Sequence, residues 1–109
     1  MQKISENLMV LGVHRTVSLV VEALVDGEPH TLREIERITG LRQPEVSLAV
    51  SEIKDYVLVK EKYDGERGRP IKIVTLPLKS YRRYIMNIVE HSREAQVKIE
   101  SAAKELLGE

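Results

Sequence analysis

The 109-residue chain contains no cysteine, no tryptophan and no phenylalanine. Without cysteine it forms no disulfide, no thiolate zinc site and no cysteine nucleophile. Four tyrosines are its only aromatic residues, so its core must be aliphatic. Formal net charge is zero, with 17 basic against 17 acidic side chains, and bulk electrostatics therefore announces no partner. Long apolar runs are also missing. The best candidate, TVSLVVEALV over residues 16–25, is interrupted by Glu22 and has about half the length of a membrane span. No membrane association is expected. The opening MQKISENLMVLG mixes polar and apolar residues and lacks a secretory-signal pattern, so the expected location is cytoplasmic.

The residues of catalysis are equally sparse. His14, His30 and His91 are scattered without ligand spacing, and each reads as structural or solvated. GERGRP, residues 65–70, precedes a β-like run and lacks the Lys-Ser/Thr pair of a phosphate-binding loop. An enzyme is not expected, nor a cofactor or a metal within one chain. A His/Asp/Glu site between subunits stays open.

What is present is order. Ile4, Leu8 and Leu11 have helical spacing, and Val17, Val20, Val21 and Leu24 form a second stripe over residues 15–25. Asp26-Gly27 then breaks it, glycine suiting the left-handed residue after a helix. Thr31 and Glu34 have capping-box spacing, with Leu32, Ile35 and Ile38 on one face. Gly40 ends that short helix. Pro44 suits the first turn of a third, expected to run to about Tyr56 with Val46, Ala49, Val50 and Ile53 inward. The period then shortens. VLVKEKY and IKIVTL read as two strands, with the connection opening at Asp64-Gly65. From residue 78 to 107 an apolar seam recurs in steps of four and three: Tyr81, Ile85, Ile88, Ser92, Ala95, Ile99, Ala102 and Leu106. Some 30 helical residues make a rod of roughly 45 Å.

Charge is unevenly spread. Residues 1–41 carry four basic and six acidic side chains, whereas residues 59–83 carry eight basic and three acidic. A local cationic zone on a neutral chain suits an anionic surface, although a solvated basic face would look the same.

In this order of elements, TLREIERITGLRQPEVSLAVSEIKDYVLVKEKYDGERGRPIKIVTL resembles the winged helix-turn-helix domain, most closely the MarR/ArsR-like regulators of transcription. PEVSLAVSEIKD stands where that family has its recognition helix, and GERGRPIKIVTL where it has its wing. Tyr56 departs from the pattern, because many relatives have glycine there. The resemblance implies an α+β, mainly helical fold: a winged helix-turn-helix with a β-hairpin wing and a long C-terminal dimerisation helix. The expected organisation is an N-terminal helix over 1–13, a DNA-binding domain over 14–77 and a coiled-coil-like dimerisation helix over 78–109.

The expected partners are double-stranded DNA and a second copy of the chain. On the recognition helix, Gln43 suits an adenine edge and Arg42 a guanine or a phosphate. Pro44 lies in the same first turn, Ser47 and Ser51 can bond bases or phosphates, and Leu48 can meet a thymine methyl. Lys54 suits a phosphate or solvent. Glu45 complements the helix N-terminus or accepts from cytosine. Thr31 reads as a cap first and a phosphate contact second. Arg33 and Arg37 suit phosphates, or pair with Glu34 or Glu36. In the wing, Lys62, Arg67, Gly68, Arg69 and Lys72 are the expected contacts. RGRP resembles the core of an AT-hook, and narrow minor grooves draw arginine in. The eight seam residues from Tyr81 to Leu106 are the expected dimer contacts; the other reading folds the long helix against its own N-terminal helix. Two further functions remain: a winged-helix protein-interaction module without DNA binding, and a repressor responding to an effector of unknown identity.

Overall fold

The computed structural model describes residues 3–63, 68 and 70–109. Helix α1, Ile4–Val10, begins at Lys3 without a side-chain cap of its own. Its acceptor comes from the next helix, α2, Arg15–Leu24. The Ser5 backbone N–H donates to Glu22 Oε2 at 2.7 Å. Glu22, a mere interruption of the apolar run in sequence, thus satisfies an orphan donor and places its charge at the positive end of α1. On α2, Val17, Val20, Val21 and Leu24 are buried as the stripe requires. Ser18, fully buried between them, donates to the His14 carbonyl at 2.9 Å.

Gly27 turns the chain with φ +76° into β1, His30–Thr31, a two-residue strand the sequence did not suggest. Helix α3, Leu32–Thr39, follows, and the Thr31 hydroxyl accepts from the Glu34 N–H at 3.1 Å. Ile35 is fully buried, but Ile38 is 57% exposed and does not share its inward face. Gly40, at φ +75°, closes α3. Helix α4, Gln43–Glu52, buries Val46, Ala49 and Val50. It ends four residues short of the expected Tyr56. Ile53 leaves helical geometry at φ −105°, ψ 20°, and Arg83 donates to the Asp55 carbonyl at 3.0 Å, which satisfies that oxygen outside a helix.

Strands β2, Leu58–Lys62, and β3, Ile71–Thr75, pair antiparallel from Leu58↔Thr75 to Lys62↔Ile71. β1 adds to the other side of β3, giving the order β1-β3-β2. Helices α2, α3 and α4 and the buried face of β3 enclose one aliphatic core, with Leu24, Ile35, Val46, Ile53 and Val74 almost without exposure. The fold is a winged-helix α+β fold, mainly helical. Its last element, α5, runs Leu78–Leu107. Tyr81, Tyr84 and Ile85 at its start pack on the core, while every residue from 90 to 109 is exposed. The far half of the helix is therefore not folded against α1. This rod raises the radius of gyration to 17.6 Å, against about 13 Å for a compact chain of this length.

Candidate nucleic-acid interface

The exposed side of α4 and the inner side of the hairpin face each other across two connected hollows. The larger, about 590 Å³, is lined by Thr31, Arg33 and Glu36 from α3 and its cap, Gln43 and Ser47 from α4, and Pro70, Ile71 and Lys72 from the wing. The smaller, about 180 Å³, is lined by Ser47 and Ser51 of α4 and Lys54 of the turn after it, with Val59 and Lys72 of the sheet. Seven expected contacts thus share one concave face: Thr31, Arg33, Gln43, Ser47, Ser51, Lys54 and Lys72. Pro70 and Ile71 join them. Sequence reasoning missed both, although each adjoins a residue it singled out.

Other expected contacts lie elsewhere. Arg42, Pro44 and Leu48 are exposed around α4 without lining either hollow, Leu48 with 64% exposure. Lys62 is opposite Ile71, whereas Lys72 is opposite Glu61. Side chains alternate across a strand, so Lys62 and Lys72 occupy opposite faces of the hairpin. Gly68 is exposed at φ +66°, a backbone that favours glycine. Arg67 and Arg69 lie outside the described residues.

Local bonding prepares this face. The Glu45 carboxylate accepts from the Arg42 N–H at 3.1 Å, which supports its reading as a helix-terminus residue over that of a cytosine acceptor. Gln43 Nε2 donates to Ser47 Oγ at 3.1 Å. A bidentate contact from Gln43 to adenine must exchange that bond for one to the base. Among the described residues, the ion pairs within 4 Å are both made by His30, so neither Arg33 nor Arg37 is held by a described carboxylate. Glu36 in the larger hollow and Glu61 beside Lys72 temper the positive charge of the face.

Below it, His30 ties the end of α2 to the start of α3. Its Nε2 lies 2.8 Å from Asp26 Oδ2 and its Nδ1 3.2 Å from Glu34 Oε2. The side chain is only 13% exposed, and burial opposes its charge. The hydrogen bonds to Asp26 and Glu34 outweigh that and raise its pKa above the ordinary 6.5. Asp26 is lowered from 3.8 by the Glu28 N–H and then His30, and Glu34 from 4.5 by His30 first. The raised histidine contributes stability that is complete below pH 6.5 and disappears as pH rises through its folded pKa. The lowered carboxylates contribute above their ordinary values, and that part disappears as pH falls through their folded pKa values. His30→Ala should therefore cost most thermal stability between about pH 5 and 6.5, and less at pH 8. Melting curves of both proteins across pH 4–9 measure it; a constant difference would remove the charge contribution.

The expected dimer contacts divide into two sets. Tyr81, Ile85 and Ile88 are half-buried; Ser92, Ala95, Ile99, Ala102 and Leu106 are exposed. A groove of about 430 Å³ runs beside this seam between Leu11 and Val13 on one side and Tyr84, Ile88 and Ala95 on the other. At its floor Asn87 donates to the Tyr56 hydroxyl at 2.8 Å. The Tyr56 and Tyr84 rings lie 5.0 Å apart, and the Arg83 guanidinium sits 5.2 Å above the Tyr56 ring. Burial, with Tyr56 and Glu52 nearby, pushes the Tyr84 phenol up. Among the described residues no three His, Asp or Glu side chains converge as a metal site, and no helix is long and apolar enough to cross a membrane.

Neither the family models nor the curated proteins give a match. A solved structure of disulfide-formed AbfR is similar over 96% of this chain and 80% of its own, with a TM-score of 0.51 and 17% sequence identity. At that identity the likeness speaks for the fold. The cysteine chemistry of that protein has no counterpart in a chain without cysteine.

Proposed function

We propose that the chain is a sequence-specific DNA-binding regulator of transcription that acts as a homodimer, with α4 in the major groove and the wing at the minor groove. The observation that carries this reading is the shared concave face. Arg33, Gln43, Ser47 and Lys72 come from three different elements and line one hollow. Short polar and cationic groups along an exposed helix suit base edges, and the flanking cations suit phosphates. The domain division follows from it: residues 14–77 read DNA, and residues 78–109, with 1–13, join two copies.

Arg67 and Arg69 enter on the strength of the sequence between β2 and β3. Changing both to alanine should weaken binding to duplex DNA and lower the magnitude of the salt slope by about 1 to 2 for each bound protomer. Affinity measured over a salt series reads both quantities, and an unchanged slope would take the wing out of the contact. Gln43→Ala should alter sequence preference, relaxing discrimination at one base pair by about 1–3 kcal/mol. Selection from randomised duplexes checks this; an equal loss on every sequence would make Gln43 a positioning contact.

The second reading is a winged-helix module that binds another protein. Glu36 in the larger hollow, Glu61 opposite Lys72 and the exposed Ile38 favour it. It predicts no salt-dependent affinity for DNA, so the same series separates the two.

A further inference from the structure

We infer that two copies pair their α5 helices antiparallel and flush, so that the far half of each helix fills the groove beside α1 of the other. The inference rests on the homodimer proposed above and specifies its geometry. Residues 90–109 are all exposed in the single chain, yet the seam continues through them, with Ile99 61% and Leu106 88% exposed. A solitary helical extension of this length is marginal in water. The near half of α5 has the opposite character. Along it run the 430 Å³ groove and a second hollow of about 150 Å³, which share Leu11 and open onto Tyr81, Ile85 and Ile88. One half of the helix is a ridge without a trough; the other is flanked by a trough without a ridge.

A parallel pair sets trough against trough at one end and leaves both unfilled. An antiparallel pair lays each ridge along the other chain's trough. The seam then meets in layers. Tyr81 packs on the partner's Leu106, Ile85 on the partner's Ala102, Ile88 on the partner's Ile99, and Ser92 on the partner's Ala95. The smallest side chains meet at the two-fold axis, and all eight seam positions are used. Sliding the pair by one heptad strands two seam positions on each chain. With Leu11, Val13 and the flanking positions of the seam, each copy supplies roughly 20 residues, the size of a stable interface.

The register also fixes a distance. Tyr81 and the partner's Tyr81 stand at opposite ends of the paired region, 25 residues apart along the helix, or about 37 Å. Successive major grooves on one face of B-DNA are about 34–36 Å apart. The same helix length that lacks support in the monomer sets the two cores about one turn of duplex apart.

Because the chain has no cysteine, introduced thiols report the register directly. Under oxidation, Ile88→Cys and Ile99→Cys should each remain uncrosslinked, while the double variant should become a covalent dimer joined between positions 88 and 99 in peptide maps. Single variants that link to themselves would establish a parallel pair and overturn the inference. An unlinked double variant that sediments as a dimer would overturn the register but leave the homodimer standing; a monomeric wild-type chain would overturn both. Should these variants fail to fold, a nitroxide on the exposed Lys104→Cys decides. Flush antiparallel helices place two labels about 35–40 Å apart, whereas parallel helices place them about 20–25 Å apart.

Discussion

Removing residues 91–109 is expected to leave a folded protein that sediments as a monomer and has lost at least about 100-fold in affinity for a duplex carrying two half-sites. The removed residues are all exposed, so their loss opens no cavity in the aliphatic core. Tyr81, Tyr84 and Ile85, which pack α5 on that core, are retained. What disappears is the seam beyond Ile88 and with it the second reading head. Two linked heads bind more tightly than one because the second engages at the high effective concentration set by the first. Sedimentation of the 12.4 kDa chain before and after truncation, with titration of one duplex by both, measures the two effects. Equal size and equal affinity would end the account of α5 as a dimerisation arm.

Leu24→Ala should cost about 2–5 kcal/mol, a large part of the 5–15 kcal/mol that holds a domain of this kind. Leu24 has no exposure and closes α2 inside the core cluster. With no phenylalanine or tryptophan in the chain, that core consists of small and medium aliphatic groups, and the removed methyl groups leave a void its neighbours fill incompletely. Leu48→Ala is the control. Leu48 is 64% exposed, and its replacement should change stability by less than about 0.5 kcal/mol. Urea unfolding of both variants gives the comparison, and a midpoint shift of similar size in the two would mean that the core is not where the burial places it.

The sequence announced its elements where local chemistry marks them. The Thr31 cap, Gly27, Gly40 and Pro44 set helix limits through short-range bonds or backbone preference, and α5 runs about where its seam placed it. β1 was hidden because two residues show no period; His30 and Thr31 become a strand only when β3 arrives beside them. The premature end of α4 was hidden for a related reason. Lys54, Asp55 and Tyr56 are acceptable in a helix, and the partner that takes up the Asp55 carbonyl beyond its end, Arg83, lies 28 residues further on. The bonds of His30 to Asp26 and Glu34 had a visible signal in the four-residue spacing on both sides, but the intervening segment is not helical, so spacing alone gave no reason to join them. In the candidate site, alternation along VLVKEKY and IKIVTL carries the information that separates Lys62 from Lys72. Their convergence or divergence around α4 depends on the register, which the sequence left open.

The grip of Arg83 on the carbonyl of Asp55 and of Asn87 on the Tyr56 hydroxyl ties the turn after α4 to α5. Tyr56, held by Asn87, Tyr84 and Arg83, joins α4 and α5 like the pivot of a caliper. If two copies join by α5 and read DNA as proposed, such a pair accepts one opening only. Half-sites moved apart by about five base pairs, half a helical turn, would turn one face of the duplex away, and such an insertion would be felt far more strongly than a change in the bases it separates.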